Sequence, residues 1–232
     1  VRQPQQHQRA ASVVALVLVP VSLAIARIPS PAPVADGDAE SSSQGSDWAL
    51  VALIALLLFA FVGTEASYGG WIYTYDQAIG LAGTASAAYL TSAFWGALTL
   101  GRLLSIPLSL RLSARTMLLM DAIGCLLSVA VILLWPGSLP AIWIGTLGMG
   151  LSMASVFAVV LTVAERNMHV TGATTGWFFV GASGGSMTLP LIIGQLFERV
   201  GPQSAMWVIF VDLLLALVIY LALVRKLASR SR

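Results

Sequence analysis

The sequence predicts an all-α membrane protein: a bundle of six helices preceded by one further transmembrane helix. Three observations carry this. Of the 232 residues, 58% are hydrophobic and only 9% charged, with a mean hydropathy of +0.88, whereas a soluble domain carries about a quarter charged residues. The apolar residues fall in continuous runs close to the ~20 that a helix needs to cross a bilayer. None of these runs alternates with period two, which argues for helices and against a lipid-facing barrel.

In chain order, residues 1–29 comprise a Gln-rich polar tail with Arg2, His7 and Arg9, then an apolar run from Ala10 to Ile28 interrupted by Pro20 and Ser22. With the small residues around Ala32 to Ala35 this also fits a secretory signal peptide. Its length, and a first residue that is Val rather than Met, favour a membrane span in a sequence that begins inside a longer reading frame. Residues 30–47, with their prolines and Asp36, Asp38 and Glu40, read as a flexible hydrophilic linker. Residues 48–232 hold six apolar segments, at about 48–70, 84–108, 115–135, 139–164, 172–196 and 203–224, followed by a basic tail. Placing the C-terminus in the cytoplasm puts Arg111, Arg115, Arg166, Arg225, Lys226, Arg230 and Arg232 there and leaves Arg199 opposite, as the positive-inside rule requires. The linker is then cytoplasmic as well.

Composition and motifs exclude several classes. A net charge of +2 without a basic run interleaved with aromatics points away from nucleic acid. His7 and His169 lie in a tail and a loop, Cys125 is the single cysteine, and no metal spacing or nucleophile–base pattern accompanies them. The expectation is therefore a protein that is not an enzyme and holds no resident metal or cofactor. Without a phosphate-binding Gly loop and its Lys, any work done on a solute draws on an ion gradient, so Na⁺ or H⁺ is the expected coupling species.

The stretch Gly63 to Asp76 stands out. It places Glu65 between Gly63 and the pair Gly69-Gly70, followed by Tyr68, Trp71, Tyr73 and Tyr75. A carboxylate beside hydrocarbon costs several kcal/mol unless it faces a cavity or a partner, and Glu65 lies about 9 Å past the middle of its segment. Two readings stand open: a solute site in which Glu65 bonds hydroxyls, binds a cation or carries a proton, or an interfacial carboxylate at a wet helix end. Gly69 and Gly70 are candidates for loosening the helix there. Gly181 and Gly185 form a GxxxG spacing suited to close helix approach, and with Pro190 they make the 172–196 segment a candidate bending element.

Three further charges lie within the segments. Arg102 and Asp121 stand at similar distances from the turn near Leu112, so antiparallel neighbours bring them to one depth and predict an ion pair that latches the bundle's end. Asp212, among Phe210, Val211 and Leu213, is the costliest charge by depth and has no partner legible in the sequence. Glu165 and Arg166 close the 139–164 segment as an interfacial pair or gating contact.

Three stretches carry a resemblance: Gly63-Thr-Glu-Ala-Ser-Tyr-Gly-Gly-Trp-Ile-Tyr-Thr-Tyr75; Ala88-Tyr-Leu-Thr-Ser-Ala-Phe-Trp-Gly96 running on to Gly101-Arg-Leu-Leu-Ser-Ile-Pro107; and Ser155-Val-Phe157 leading to Glu165. With the six segments, they resemble the C-terminal half of a major facilitator superfamily transporter. Together they are similar to the sodium-dependent glucose transporter-like branch (the MFS domain-containing 4 group), itself distantly similar to bacterial fucose permeases. The resemblance implies secondary active transport of a hexose-like sugar by alternating access between two six-helix halves, of which residues 1–29 resemble the end of the first. It implies substrate contacts from Glu65, Tyr68 and Trp71 in one helix and from Tyr89, Ser92 and Trp95 in the next, where Tyr89, Ser92 and Gly96 share a face. The latch candidates are Arg102, Asp121, Arg111, Arg115, Glu165 and Arg166. The expected partners are a small sugar, the lipid bilayer and an N-terminal half, and the expected location is the plasma membrane. The family's loop motif is degenerate here: Arg111 and Arg115 remain, without its Gly and Asp. The competing reading is a membrane remnant or interaction scaffold that moves nothing.

Overall fold

The computed structural model describes residues 47–81 and 83–230. The helix expected within residues 10–28 and nearly all of the 30–47 linker lie outside the described residues. Those described form seven α-helices: α1 (Trp48–Ile79), α2 (Thr84–Ser109), α3 (Ala114–Leu134), α4 (Leu139–Met153), α5 (Val156–Asn167), α6 (Gly172–Val200) and α7 (Gln203–Arg230). Helices α4 and α5 are two parts of one rod, Leu139–Asn167, so the rods number six among the described residues.

Five rods are long and apolar enough to cross a membrane, making this an all-α, multi-pass membrane protein. The remaining rod, α2, is 26 residues long but carries Tyr89, Ser92, Thr99 and Arg102 on exposed positions, which lowers its hydropathy.

Short polar signals set the helix ends. The Asp47 carboxylate accepts from the amides of Ala49 and Leu50 at 3.1 and 3.3 Å. Ser113 and Ser138 cap α3 and α4 through the amides of Thr116 and Ala141, and Thr171 forms a reciprocal capping box with Thr174 ahead of α6. Gly80, at φ 67°, ends α1 in the left-handed conformation that glycine adopts without strain. α1 thus runs nine residues past the expected end at residue 70, straight through Gly69 and Gly70.

Helix α1 is the hub. It packs most extensively on α6, and also meets α7, α2 and α5. Its contact with α6 is backbone against backbone. A Cβ on Gly181 would strike the Ala55 carbonyl, one on Gly185 the Phe59 carbonyl, and one on Gly63 would come within 2.9 Å of the Gly185 carbonyl. Ala55, Phe59 and Gly63 recur every four residues on α1, matching the spacing of Gly181 and Gly185 on α6, so one ridge sits in the other's groove. These glycines therefore hold two rods together, and α6 remains helical through Pro190. Gly69 is likewise a seat: a Cβ there would lie 2.7 Å from the Trp95 ring.

Sequence order does not give spatial order. Helix α4 lies between α2 and α3, and α3 lies between α4 and α7, while α2 and α3 scarcely touch. α2 presses on the rod of α4 and α5 through Gly101, whose added Cβ would be 2.6 Å from that of Ala154, and through Gly150 against the Phe94 carbonyl. The rod is broken at Ala154–Ser155, where a single continuous helix was expected.

Replacing Gly185 with Leu should destabilise the bundle by about 1–3 kcal/mol through overpacking. Gly176, with nothing within 4 Å of an added Cβ, should tolerate the same change. Thermal unfolding of the two variants in detergent compares them directly.

Candidate functional site

Three consecutive residues of α1 reach three different helices. Gly63 faces α6. The Thr64 hydroxyl donates to Oδ2 of Asp212 on α7 at 2.7 Å. Glu65 Oε1 lies 3.6 Å from an Arg102 guanidinium nitrogen on α2. A rotation of about 100° per residue makes this fan possible, and the close packing at Gly63 fixes its angle.

The Glu65–Arg102 pair borders a cavity of about 640 Å³, within the range of small-molecule sites. Val62 and Glu65 of α1 form one wall; Arg102, Ser105 and Ile106 of α2 form the second; Met153, Ala154, Ser155, Phe157 and Ala158, around the broken rod, form the third. The Glu65 side chain is 22% exposed and that of Arg102 is 58% exposed. The carboxylate is thus held from the α2 side while the guanidinium keeps most of its donors free. Chemically the cavity offers an anionic acceptor and a cationic fork of donors, on otherwise largely apolar walls.

The expected Arg102–Asp121 pair is not formed. It assumed that α2 and α3, joined by a short turn, are neighbours; α4 stands between them. Asp121 instead accepts at 2.5 Å from the hydroxyl of Ser155, so it clasps the break in the rod from behind the cavity. Arg111, Arg115, Glu165 and Arg166 are all exposed, and none makes an ion pair among the described residues. The Arg115 carbonyl accepts from the Tyr220 hydroxyl at 2.8 Å, which ties α3 to α7 through backbone. An ion pair is formed at one end of the bundle between Asp47 and Lys226 at 3.0 Å, fastening the start of α1 to the C-terminal part of α7. Sequence reasoning missed it because Asp47 reads as the last residue of the linker.

The other candidates divide by exposure. Tyr68 is fully buried, bonded to Thr146 of α4 at 2.9 Å and set against Phe94 at 5.1 Å between centroids, so it braces the core instead of reaching the cavity. Trp71 packs on Phe197 at 5.2 Å and over Gly194 of α6. Tyr89, 66% exposed, shares an outward face of α2 with Ser92, while Trp95, also exposed, leans one edge on Gly69. Tyr89, Ser92 and Trp95 do not line the Glu65–Arg102 cavity. The signal that would have found the Glu65–Arg102 pair was the α1–α2 hairpin: the residues lie about one helical turn out of step across the turn at 80–83, an offset that a long Arg side chain spans.

The rods and the intramembrane charges define a polytopic helical membrane protein with a largely apolar cavity that carries one carboxylate–guanidinium pair. Its relatives specify the class. No protein-family profile matches the chain. Major facilitator superfamily domain-containing protein 4A of Pongo abelii is 34% identical over 160 residues, covering 68% of this chain and 31% of that protein. The human protein of that name is 34% identical over 151 residues, 65% of this chain and 29% of its own. Sodium-dependent glucose transporter 1 of Xenopus laevis is 35% identical over 149 residues, 64% of this chain and 30% of its own. The chain belongs to the major facilitator superfamily, and it spans about a third of the length of these relatives.

Tyr68→Phe should cost about 1 kcal/mol of stability by removing the Thr146 hydrogen bond while leaving the exposure of Glu65 unchanged. Thermal unfolding, together with carbodiimide modification of Glu65, reads both effects.

Proposed function

We propose that this chain forms the C-terminal half of a secondary transporter that moves a hexose-like sugar by alternating access, coupled to a cation. The observation that carries this reading is the Glu65–Arg102 pair on the wall of a cavity bordered by three rods. A carboxylate and a guanidinium side by side provide acceptors and donors suited to a molecule covered in hydroxyls, and a carboxylate is also the ligand that a hard cation or a proton requires.

In this reading the outward polar face of α2, with Tyr89, Ser92 and Trp95, meets the solute path or the other six-helix half. Trp71 sits behind the site as support. Rocking of the two halves exposes the cavity to each side in turn. The broken rod and the Asp47–Lys226 pair are the parts of this half that change shape or partner during the cycle. The C-terminal end of α7, with Arg225 and Lys226, lies in the cytoplasm by the positive-inside rule, and the plasma membrane is the site of action. Several of the relatives are named sodium-dependent glucose transporters, which favours Na⁺ as the coupling ion and glucose as the first substrate to test.

Uptake of labelled glucose and fucose into cells expressing the full-length protein, with sodium present or replaced by choline, tests this directly. Sodium-dependent uptake is expected, and Glu65→Gln should reduce it by about tenfold or more, the loss of one charge-assisted hydrogen bond, at unchanged surface expression. Wild-type-like uptake in that variant removes Glu65 from the site. No uptake of either sugar by protein shown to reach the membrane overturns the sugar assignment.

A further inference from the structure

A second cavity lies on the other side of α1. α6 and α7 are joined by a short turn, yet they pack on each other far less than either packs on α1. The wedge left between them is a groove of about 450 Å³. Half-buried Phe59 of α1 and buried Asp212 of α7 form its base, and exposed Trp207, Val211 and Leu215 its rim. Apart from Asp212, the Thr188 hydroxyl and the Trp207 indole N–H, the side chains that line it are apolar.

Asp212 is 8% exposed. Its Oδ2 takes the Thr64 hydroxyl, while Oδ1 has no protein donor among the described residues. A carboxylate within a membrane span with one oxygen left unpaired is costly, and Asp212 lines the groove, from which a donor can reach it. The rim residues are large, apolar and exposed within a span, so the approach to the groove is from hydrocarbon. A solute arriving from water would not cross that rim. What fits is a molecule already dissolved in the bilayer, with an apolar body and one cationic donor.

We propose that the α6–α7 groove is a binding site for a lipophilic amine, whose apolar chain lies against Phe59, Val211 and Leu215 and whose ammonium group bonds Asp212. The site is separate from the Glu65–Arg102 cavity: Thr64 and Glu65 are adjacent in sequence, but α1 turns them toward different helices. The proposal holds whatever solute the other cavity carries.

Photolabelling of the full-length protein in nanodiscs tests it, using dodecylamine with a terminal diazirine and the matching diazirine-bearing hydrocarbon without the amine. The amine probe should label α6 and α7 peptides bordering the groove in preference to the hydrocarbon. Asp212→Asn, whose side-chain carbonyl still accepts from Thr64, should lower amine labelling by about tenfold and leave hydrocarbon labelling unchanged. Val211→Trp, which fills the groove from its exposed rim, should block the amine probe and retain the size-exclusion profile. Absent labelling, equal labelling by the two probes, or amine labelling that survives Asp212→Asn would overturn the assignment.

Discussion

The rest of the structure depends on the approach of α1 to α6. Where Gly63, Gly181 and Gly185 meet the carbonyls of the facing helix, there is no room for a Cβ. Within lipid no hydrophobic force drives helices together, so packing, and the polar bonds that packing permits, must do so. The contact does more than join two rods. It sets the rotation of α1 about its axis, and that rotation decides which neighbour each later side chain meets.

The bundle's polar bonds follow from this setting. Thr64 meets Asp212 on α7, Glu65 meets Arg102 on α2, and Tyr68 meets Thr146 on α4. Each is a long-range pair that removes part of the cost of burying a polar group. Together they cross-link four rods through one helix. Opposite sides of α1 then acquire different characters: a cavity with paired opposite charges on the α2 side, and an apolar groove with a single carboxylate on the α6–α7 side.

The broken rod shows how one polar bond supports another. α2 approaches closely because Gly101 and Gly150 lack side chains, and that approach coincides with the interruption at Ala154–Ser155. There the Ser155 hydroxyl is taken up by Asp121 from behind. Arg102, next to Gly101, is thereby set beside the interruption and across from Glu65.

The sequence by itself determined the helical class and the starts of the six rods to within one residue, because these follow from local hydropathy; the end of α1, nine residues later than expected, did not. It also singled out Glu65, Arg102, Asp121 and Asp212, since any charge in an apolar run is visible without a structure. Only the tertiary structure decided their partners. Depth along a helix can be counted from a turn, but the angle around the axis and the identity of the neighbour depend on the packing of all the rods. Arg102 and Asp121 stand at similar depth and do not pair, because α4 separates their helices. Tyr68 reads as a ligand residue in a line of aromatics, yet the rotation fixed at Gly63 turns it into the core.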